Sequence, residues 1–416
     1  MNSKLPHTWK ESKLDLLIDF YIGGDWGEES QVSSDYIAVR VIRATDFSNW
    51  EKTNGQNAQI RYLKTSSIEK RELKDNDLVL EISGGSPDQP VGRSVIIKLD
   101  KLDEQKYTCS NFFRLLRIND NEILPAYLNY YFKFLYETRI IEQYQSNSTN
   151  LRNLKFKQFL MQNVPYPKNI LEQQEIVQVL DTMSDIIRLR EECISHAQDL
   201  IPALFQEMFK QYINQKDKHI SIGSVTSDTK QINPSKIFDT DFYYIDIASI
   251  NNDTGIIETP KIININDAPS RARKLVQTND VIISMTRPYL KGFSIVPERL
   301  DGQIASTGFA VLRSIPEKLS PLYLFAYVRT DMFVEQLIPK MKGANYPAVR
   351  DSDVRSVKIP FPPIELQEQF AEKVREINSY IEEQQEELEN AKQMFQSLLH
   401  HAFTGELTRK KYGGGN

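Results

Sequence analysis

The same long amphipathic helix signal occurs twice in this chain, and the repeat limits the folds open to it. In the first copy apolar residues fall at Ile176, Leu180, Met183, Ile187, Ile194, Ala197, Ile201, Leu204 and Met208, with Arg190 standing between Ile187 and Ile194. In the second they fall at Phe370, Val374, Ile377, Ile381, Leu388, Ala391, Phe395, Leu398 and Ala402, with Gln384 in the place of Arg190. The steps alternate between four and three, a heptad seam held for about five heptads, which argues for a coiled coil. Every position in the second copy lies 194 residues beyond its counterpart, the polar interruption included. A fixed displacement of that kind marks an internal duplication.

Prolines introduce each helix signal. Val164-Pro165-Tyr166-Pro167 precedes a helix over Leu171 to about Phe209, and Ile359-Pro360-Phe361-Pro362-Pro363-Ile364 precedes one over Glu365 to about Phe403. Proline fixes φ and removes a backbone donor, so it stops the preceding element. A mixed stretch of strand and turn signals lies ahead of each lead-in. In the first, a short helix is expected over Ser12–Phe20 and strands over Tyr36–Ile42, Leu78–Ile82, Ser94–Leu99 and Phe112–Ile118. A helix rich in aromatic residues is expected over Leu124–Tyr144. In the second, strands are expected over Phe242–Ile247, Val276–Ser284 and Ala305–Arg313, and the aromatic helix over Pro321–Val334. Both copies place Asn-Asp just before a central strand, at Asn76-Asp77 and Asn279-Asp280.

The reading is an α+β chain with a pseudo-two-fold internal repeat. Two similar globular domains, residues 1–163 and 214–358, alternate with proline-led helical segments, residues 164–213 and 359–407, and residues 408–416 form a flexible tail. About 39 helical residues at 1.5 Å each make a rod of roughly 55–60 Å. The two seams match, so antiparallel pairing within one chain would put the globular domains at opposite ends of a fixed spacer; pairing between chains is the alternative. Arg190 and Gln384 are expected on adjacent central layers, where a polar residue can set register. The single-residue excess at Asn169-Ile170 predicts a shifted start for the first helix.

Composition narrows the function. Hydrophobic residues at 40% and charged residues at 26% suit a chain with true cores. There is no apolar run long enough for a membrane span, and Met1-Asn2-Ser3-Lys4-Leu5-Pro6 is not signal-like, so a cytoplasmic location is expected. Cys109 and Cys193 make no disulfide framework, and Cys193 reads as a small packing residue. The net charge is −5, but the two helices carry −9 of it, which leaves the rest at +4. That distribution is compatible with nucleic acid on the globular parts.

Catalytic patterns are thin. The histidines His7, His196, His219, His400 and His401 show no metal-ligand spacing, and the expectation is no catalytic residue and no metal. Gly85 and Gly92 are too far apart for a phosphate loop, and Arg93 stands where that loop needs Lys. Asp88, Glu104 and Lys106 fit a loose metal-nuclease pattern. A protein-interaction scaffold would also explain the helices.

At the proline lead-ins, Leu171-Glu172-Gln173-Gln174-Glu175-Ile176-Val177, Glu365-Leu366-Gln367-Glu368-Gln369-Phe370-Ala371 and Phe403-Thr404-Gly405-Glu406-Leu407, the chain resembles a known family. It is similar to the DNA-specificity subunits of type I restriction-modification systems, and Leu5-Pro6-His7-Thr8-Trp9 resembles the opening of their domains. The resemblance implies that each globular part is a target-recognition domain reading half of a bipartite double-stranded DNA target. It implies that the paired helices fix the spacer. It implies two methyltransferase subunits, which bind S-adenosylmethionine and methylate adenine at N6, and two restriction/translocase subunits in complexes that also cleave. The specificity subunit itself carries no cofactor and catalyses nothing.

Arg reads guanine and Asn or Gln reads adenine, so the divergent polar loops supply the candidate readers. In the first domain these are Asn54, Gln56, Asn57, Arg61, Lys64, Ser83, Ser86, Gln89, Arg93, Asn147, Ser148 and Asn150. In the second they are Arg271, Arg273, Lys274, Thr286, Arg287, Tyr289, Lys291, Asn345 and Tyr346.

Overall fold

The computed structural model describes residues 5–48, 50–86, 89–148 and 151–407, with backbone only at 51, 101, 147 and 148. The expected tail, 408–416, lies outside them. The chain forms two compact units, Met1–Glu191 with Glu386–Asn416 and Glu192–Gln385. The two long helices, Ile170–Asn214 and Ile364–Phe403, each give one part to each unit. Their starts are 194 residues apart, so the first helix is not shifted as expected. Asn169 explains this, since its side-chain oxygen accepts from Leu171 N–H at 3.0 Å and caps the turn.

In the first unit a four-stranded antiparallel sheet runs Ile18–Gly23, Phe113–Ile118, Leu78–Glu81, Ser94–Ile96. A second sheet pairs Tyr36–Ile42 antiparallel with Gln59–Lys64 and parallel with Tyr107–Cys109. The second unit repeats both. Thr226–Ser227, Phe309–Ser314, Val281–Ser284 and Phe293–Ile295 form the first sheet. Asp241–Ile245 pairs antiparallel with Lys261–Asn264 and parallel with Ile304–Ser306, and Ala272–Leu275 extends that second sheet. Each unit ties its own start to its proline lead-in through a short antiparallel pair, Trp9–Lys13 with Asn163–Pro167 and Ile220–Ser221 with Lys358–Ile359.

Several local expectations need correction. Ser12–Phe20 is not a helix; strand runs to Lys13, a 3₁₀ turn spans Leu14–Leu17, and strand resumes at Ile18. Leu14 and Leu17 are both buried, a spacing that one tight turn satisfies. The stretch Trp50–Lys64, read as an exposed loop or hairpin, holds a short helix over Trp50–Thr53 and the strand Gln59–Lys64, which pairs antiparallel with Tyr36–Ile42 and whose alternation turns Arg61 and Leu63 inward. Gln145–Ser148 and Ala272–Leu275 are likewise strands. The first aromatic helix ends at Glu137, where Arg139 at φ +60° turns the chain into a 3₁₀ segment. The second breaks into Pro321–Val328 and Asp331–Leu337. Cys193 is exposed rather than packed.

The Asn-Asp turn is built identically in both units. Asn76 and Asn279 take left-handed backbone, φ +64° and +68°, which asparagine tolerates. The next aspartate is buried and forms a bidentate pair: Asp77 with Arg117 at 2.9 and 2.8 Å, Asp280 with Arg313 at 2.8 and 2.7 Å. Each also accepts a backbone N–H, from Lys74 at 2.7 Å and from Gln277 at 2.8 Å. The Asp280 carboxylate holds the Arg313 guanidinium above its ordinary pKa. Replacing Asp280 with Ala leaves Arg313 and the Gln277 amide without that partner. The variant is expected to lose about 3 kcal/mol of stability, read as a lowered urea midpoint of the full chain; an unchanged midpoint would show the pair to be dispensable.

Candidate nucleic-acid interface

In each unit, the loop that follows the central strand meets the loop that follows the aromatic helix. Sequence order separates the two loops by some sixty residues, and strand pairing closes the gap. In the second unit Thr286 bridges to Ala348, Lys342 bridges to Ala348 from within the same hairpin, and Val349 N–H donates to Met285 at 2.9 Å. In the first unit the equivalent contact is a full sheet: Ser83–Gly85 pairs antiparallel with Leu151–Leu154, which pairs in turn with Gln145–Ser148.

The second unit's tip is organised around Arg287. Its backbone is left-handed, φ +48°, and its N–H donates to Pro347 O at 2.8 Å. Its guanidinium donates to Asn345 O at 3.0 Å and lies 4.6 Å from the ring centroid of Tyr346. A cation over an aromatic face is attracted by the ring quadrupole and holds the ring in place. Tyr346 is nevertheless 70% exposed, and Tyr289 on the facing loop is 45% exposed. Gly343 at φ +104° makes the hairpin turn beneath, and a Cβ there would stand 3.2 Å from Tyr346 O. Thr307 N–H donates to Arg271 O while the adjacent Gly308 O accepts from Met285 N–H, so exposed Arg271 joins the same tip.

Three other candidates in this unit are committed elsewhere. Lys291 donates to Asp331 at 2.7 Å, a contact that lowers the Asp331 pKa. Arg273 donates to Ala272 O at 2.7 Å, and Lys274 is buried 3.7 Å from Asp351. Both lie on the strand that was expected to be a loop. Lys342 and Arg350 are exposed and flank the tip. Sequence reasoning passed over them, although they bound the expected loop on either side.

In the first unit Ser83 Oγ donates to Asn153 Oδ1 at 2.6 Å, a partner 70 residues away that no local pattern marks. Ser86 and Gln89 exchange backbone hydrogen bonds at 3.0 and 3.1 Å and are exposed, making a tight polar turn. Arg93 was expected to be a reader, but it forms a bidentate pair with buried Glu81 at 2.9 and 2.6 Å, which raises its pKa. Its other side faces Phe47 at 5.6 Å, and Phe47 touches Trp50. That contact brings the turn with Asn54, Gln56 and Asn57 toward the 83–93 loop, with Gln56 and Asn57 exposed. Arg61 is 5% exposed, stacked 4.5 Å from Trp26 and donating to Trp26 O and Gly27 O at 3.2 and 3.1 Å. Its donors are used inside the unit. Lys64 sits at the far end of the strand from Gln59, roughly 17 Å away at the usual rise.

Asn147 and Ser148 lie on the Gln145–Ser148 strand, and Asn150 falls outside the described residues. Asp88 of the metal-nuclease pattern also falls outside them, Glu104 is exposed, and Lys106 is paired with Glu72 at 2.6 Å. Among the described residues no cluster of three or more His, Cys, Asp or Glu side chains could hold a metal ion, and no helix is long and apolar enough to cross a membrane.

The chain matches a family model described as the type I restriction modification DNA specificity domain, over residues 6–196 and again over 219–390. It is 23% identical over 432 aligned positions to the putative type I restriction enzyme MjaX specificity subunit of Methanocaldococcus jannaschii, covering 98% of this chain and 95% of the relative. It is 26% identical over 148 residues to the type I restriction enzyme EcoDI specificity subunit of Escherichia coli, covering 35% and 32% of the two chains. A solved type I restriction-modification S subunit from M. genitalium is similar at 14% identity and a TM-score of 0.49, over 97% of each chain.

If the tip at Arg287 reads DNA, Arg287→Ala is expected to weaken binding of the full chain to its target duplex about tenfold, the loss of one good base contact. Lys64→Ala, at the far end of its strand from the polar turn, is expected to change it less than about twofold, because a charge that makes no phosphate contact releases no counterion. Fluorescence anisotropy at fixed salt checks both; equal effects of the two variants would remove Arg287 as a reader.

Proposed function

We propose that this chain, which belongs to the type I restriction modification DNA specificity family, reads a bipartite DNA target with one half assigned to each unit. It is a DNA-specificity subunit and not itself an enzyme. One observation carries the bipartite reading: the two units repeat their sheets, ion pairs and helix joints, yet differ in the polar tips where two loops converge. A repeated frame with divergent polar tips suits two readers of different sequences on one kind of duplex. Arg287, Tyr346, Asn345, Thr286, Tyr289 and Arg271 are the proposed readers in the second unit. Ser86, Gln89, Gln56 and Asn57 are those in the first. Asn54, Ser83, Asn147, Ser148 and Asn150 belong to the same segments.

The long helices are proposed to pair antiparallel as a coiled-coil spacer. The packing within each unit supports this. In the first, Ile176, Leu180 and Met183 share a core with Ala391, Phe395 and Leu399; in the second, Phe205 and Phe209 share one with Phe370 and Val374. Early residues of one helix thus meet late residues of the other in both units. Arg190 pairs with Glu387, and Lys392 with Glu191 at 3.0 Å, in the same sense. A duplicated chain offers two equivalent docking places, which supports two methyltransferase subunits, each holding S-adenosylmethionine and modifying adenine N6 in one half-site. Two restriction/translocase subunits would complete a cleaving complex. The whole assembly would act in the cytoplasm, where the chromosome lies.

Long-read methylome sequencing tests the reading. A host carrying the cognate methyltransferase gene with and without this chain is expected to show N6-methyladenine only with it, in a two-part motif of fixed gap. A soluble complex of the two proteins that adds no methylation would contradict the proposal.

A further inference from the structure

Two glutamines are buried completely, and they occupy the same place in the two repeats. Gln173 and Gln367 lie 194 residues apart, three positions into their helices, and both are 0% exposed. Gln173 Oε1 accepts from Leu124 N–H at 2.8 Å, and its Nε2 donates to Pro167 O at 2.9 Å and Glu122 O at 3.3 Å. Gln367 Oε1 accepts from Ser320 N–H at 2.9 Å, and its Nε2 donates to Pro362 O at 2.9 Å and Lys318 O at 3.3 Å. Leu124 and Ser320 immediately precede the aromatic helices. One side chain therefore ties three pieces of chain together: the long helix that carries it, the proline lead-in, and the start of the aromatic helix.

A second tie acts on the same lead-ins. Tyr127 Oη donates to Pro165 O at 3.1 Å, and Tyr323 Oη donates to Pro360 O at 2.8 Å. Tyr130 Oη also donates to Asp181 of the first long helix at 2.6 Å, and Tyr131 and Tyr327 donate to the Asn163 and Lys358 carbonyls; the rest of the joint is largely apolar, and apolar burial is not directional. Hydrogen bonds are, and leaving a buried partner unmade is unfavourable. The angle between the aromatic helix and the long helix is thus held by these polar ties.

We propose that Gln173 and Gln367 are positioning residues that set the angle at which each reading part leaves its long helix, and so select the number of base pairs between the two half-sites. This rests on the bipartite reading above. The leverage is sufficient. Over a domain radius of roughly 15–20 Å, a rotation of about 10° carries a tip by about 3 Å, one base-pair step.

The test uses the full chain with its methyltransferase and a plasmid library in which both half-sites are kept and the gap is varied by one or two base pairs. N6-methylation at each gap is read by sequencing for the wild type, Gln173→Met and Gln367→Met. The wild type is expected to prefer one gap. Each variant is expected to weaken that preference by about tenfold, the factor for one buried hydrogen-bond pair, so that neighbouring gaps are also methylated, with the half-site letters unchanged. A role in stability alone would lower methylation equally at every gap, so an unchanged gap preference overturns the proposal. Altered half-site letters also overturn it. A wild type that methylates no two-part site removes the bipartite reading and this proposal together, and shows itself in the control arm. Should the methionine variants not fold, Tyr127→Phe and Tyr323→Phe remove only a hydroxyl from the same joint. A broadened gap preference in them supports the proposal, and a wild-type preference overturns it.

Discussion

Each unit depends on a helix end that comes from the other sequence repeat. In the first unit Phe403, at the end of the second long helix, packs against Tyr127, Tyr131 and Phe134 of the aromatic helix at 5.2–5.4 Å between ring centroids. In the second unit Phe209, at the end of the first long helix, packs against Tyr323 at 4.8 Å. Phe209 and Phe403 are 194 residues apart, as are the repeats. Neither repeat therefore closes its own core. An aromatic side chain of this size buries 150–250 Å² and dominates local packing, so loss of either helix end would open the core it closes. The chain is covalently a tandem repeat and physically an exchange.

That exchange separates what must be kept from what can vary. The sheets, the buried aspartate–arginine pairs, the glutamine ties and the helix ends recur in both units with matching geometry. The tips beyond them do not recur. One is a three-stranded sheet closed by a polar turn; the other is a hairpin with an arginine held over an exposed tyrosine. A frame stabilised by buried polar pairs and aromatic packing tolerates different tips, because the loops contribute little to the core.

The sequence disclosed the frame well and the tips less well. The two long helices, their proline lead-ins, the repetition of the globular parts and the Asn-Asp turns all follow from periodicity and from a displacement of 194 residues. Helix burial was only partly legible. Phe205, Phe209, Leu399 and Phe403 are buried one place beyond the heptad positions, because a 3.6-residue turn drifts from a seven-residue seam as the helix ends turn onto the globular parts. Arg61, Arg93 and Lys274 stand in polar stretches that predict exposed readers, but a polar side chain is not thereby exposed. Their partners, the Trp26 and Gly27 carbonyls, Glu81 and Asp351, lie 12 to 77 residues away, and no local pattern marks such pairs. The meeting of Arg287 with Asn345 and Tyr346 spans nearly sixty residues, yet both loops were singled out on composition alone.

The assignment of one half-site to each unit is best tested by exchange. Residues 214–358 would be replaced by the corresponding part of another family member with a different target, and the methylated motif of the hybrid read with the same methyltransferase. The account predicts a motif in which one half changes to that of the donor, while the other half keeps its letters. A hybrid that folds and methylates, but changes both halves or neither, would contradict it.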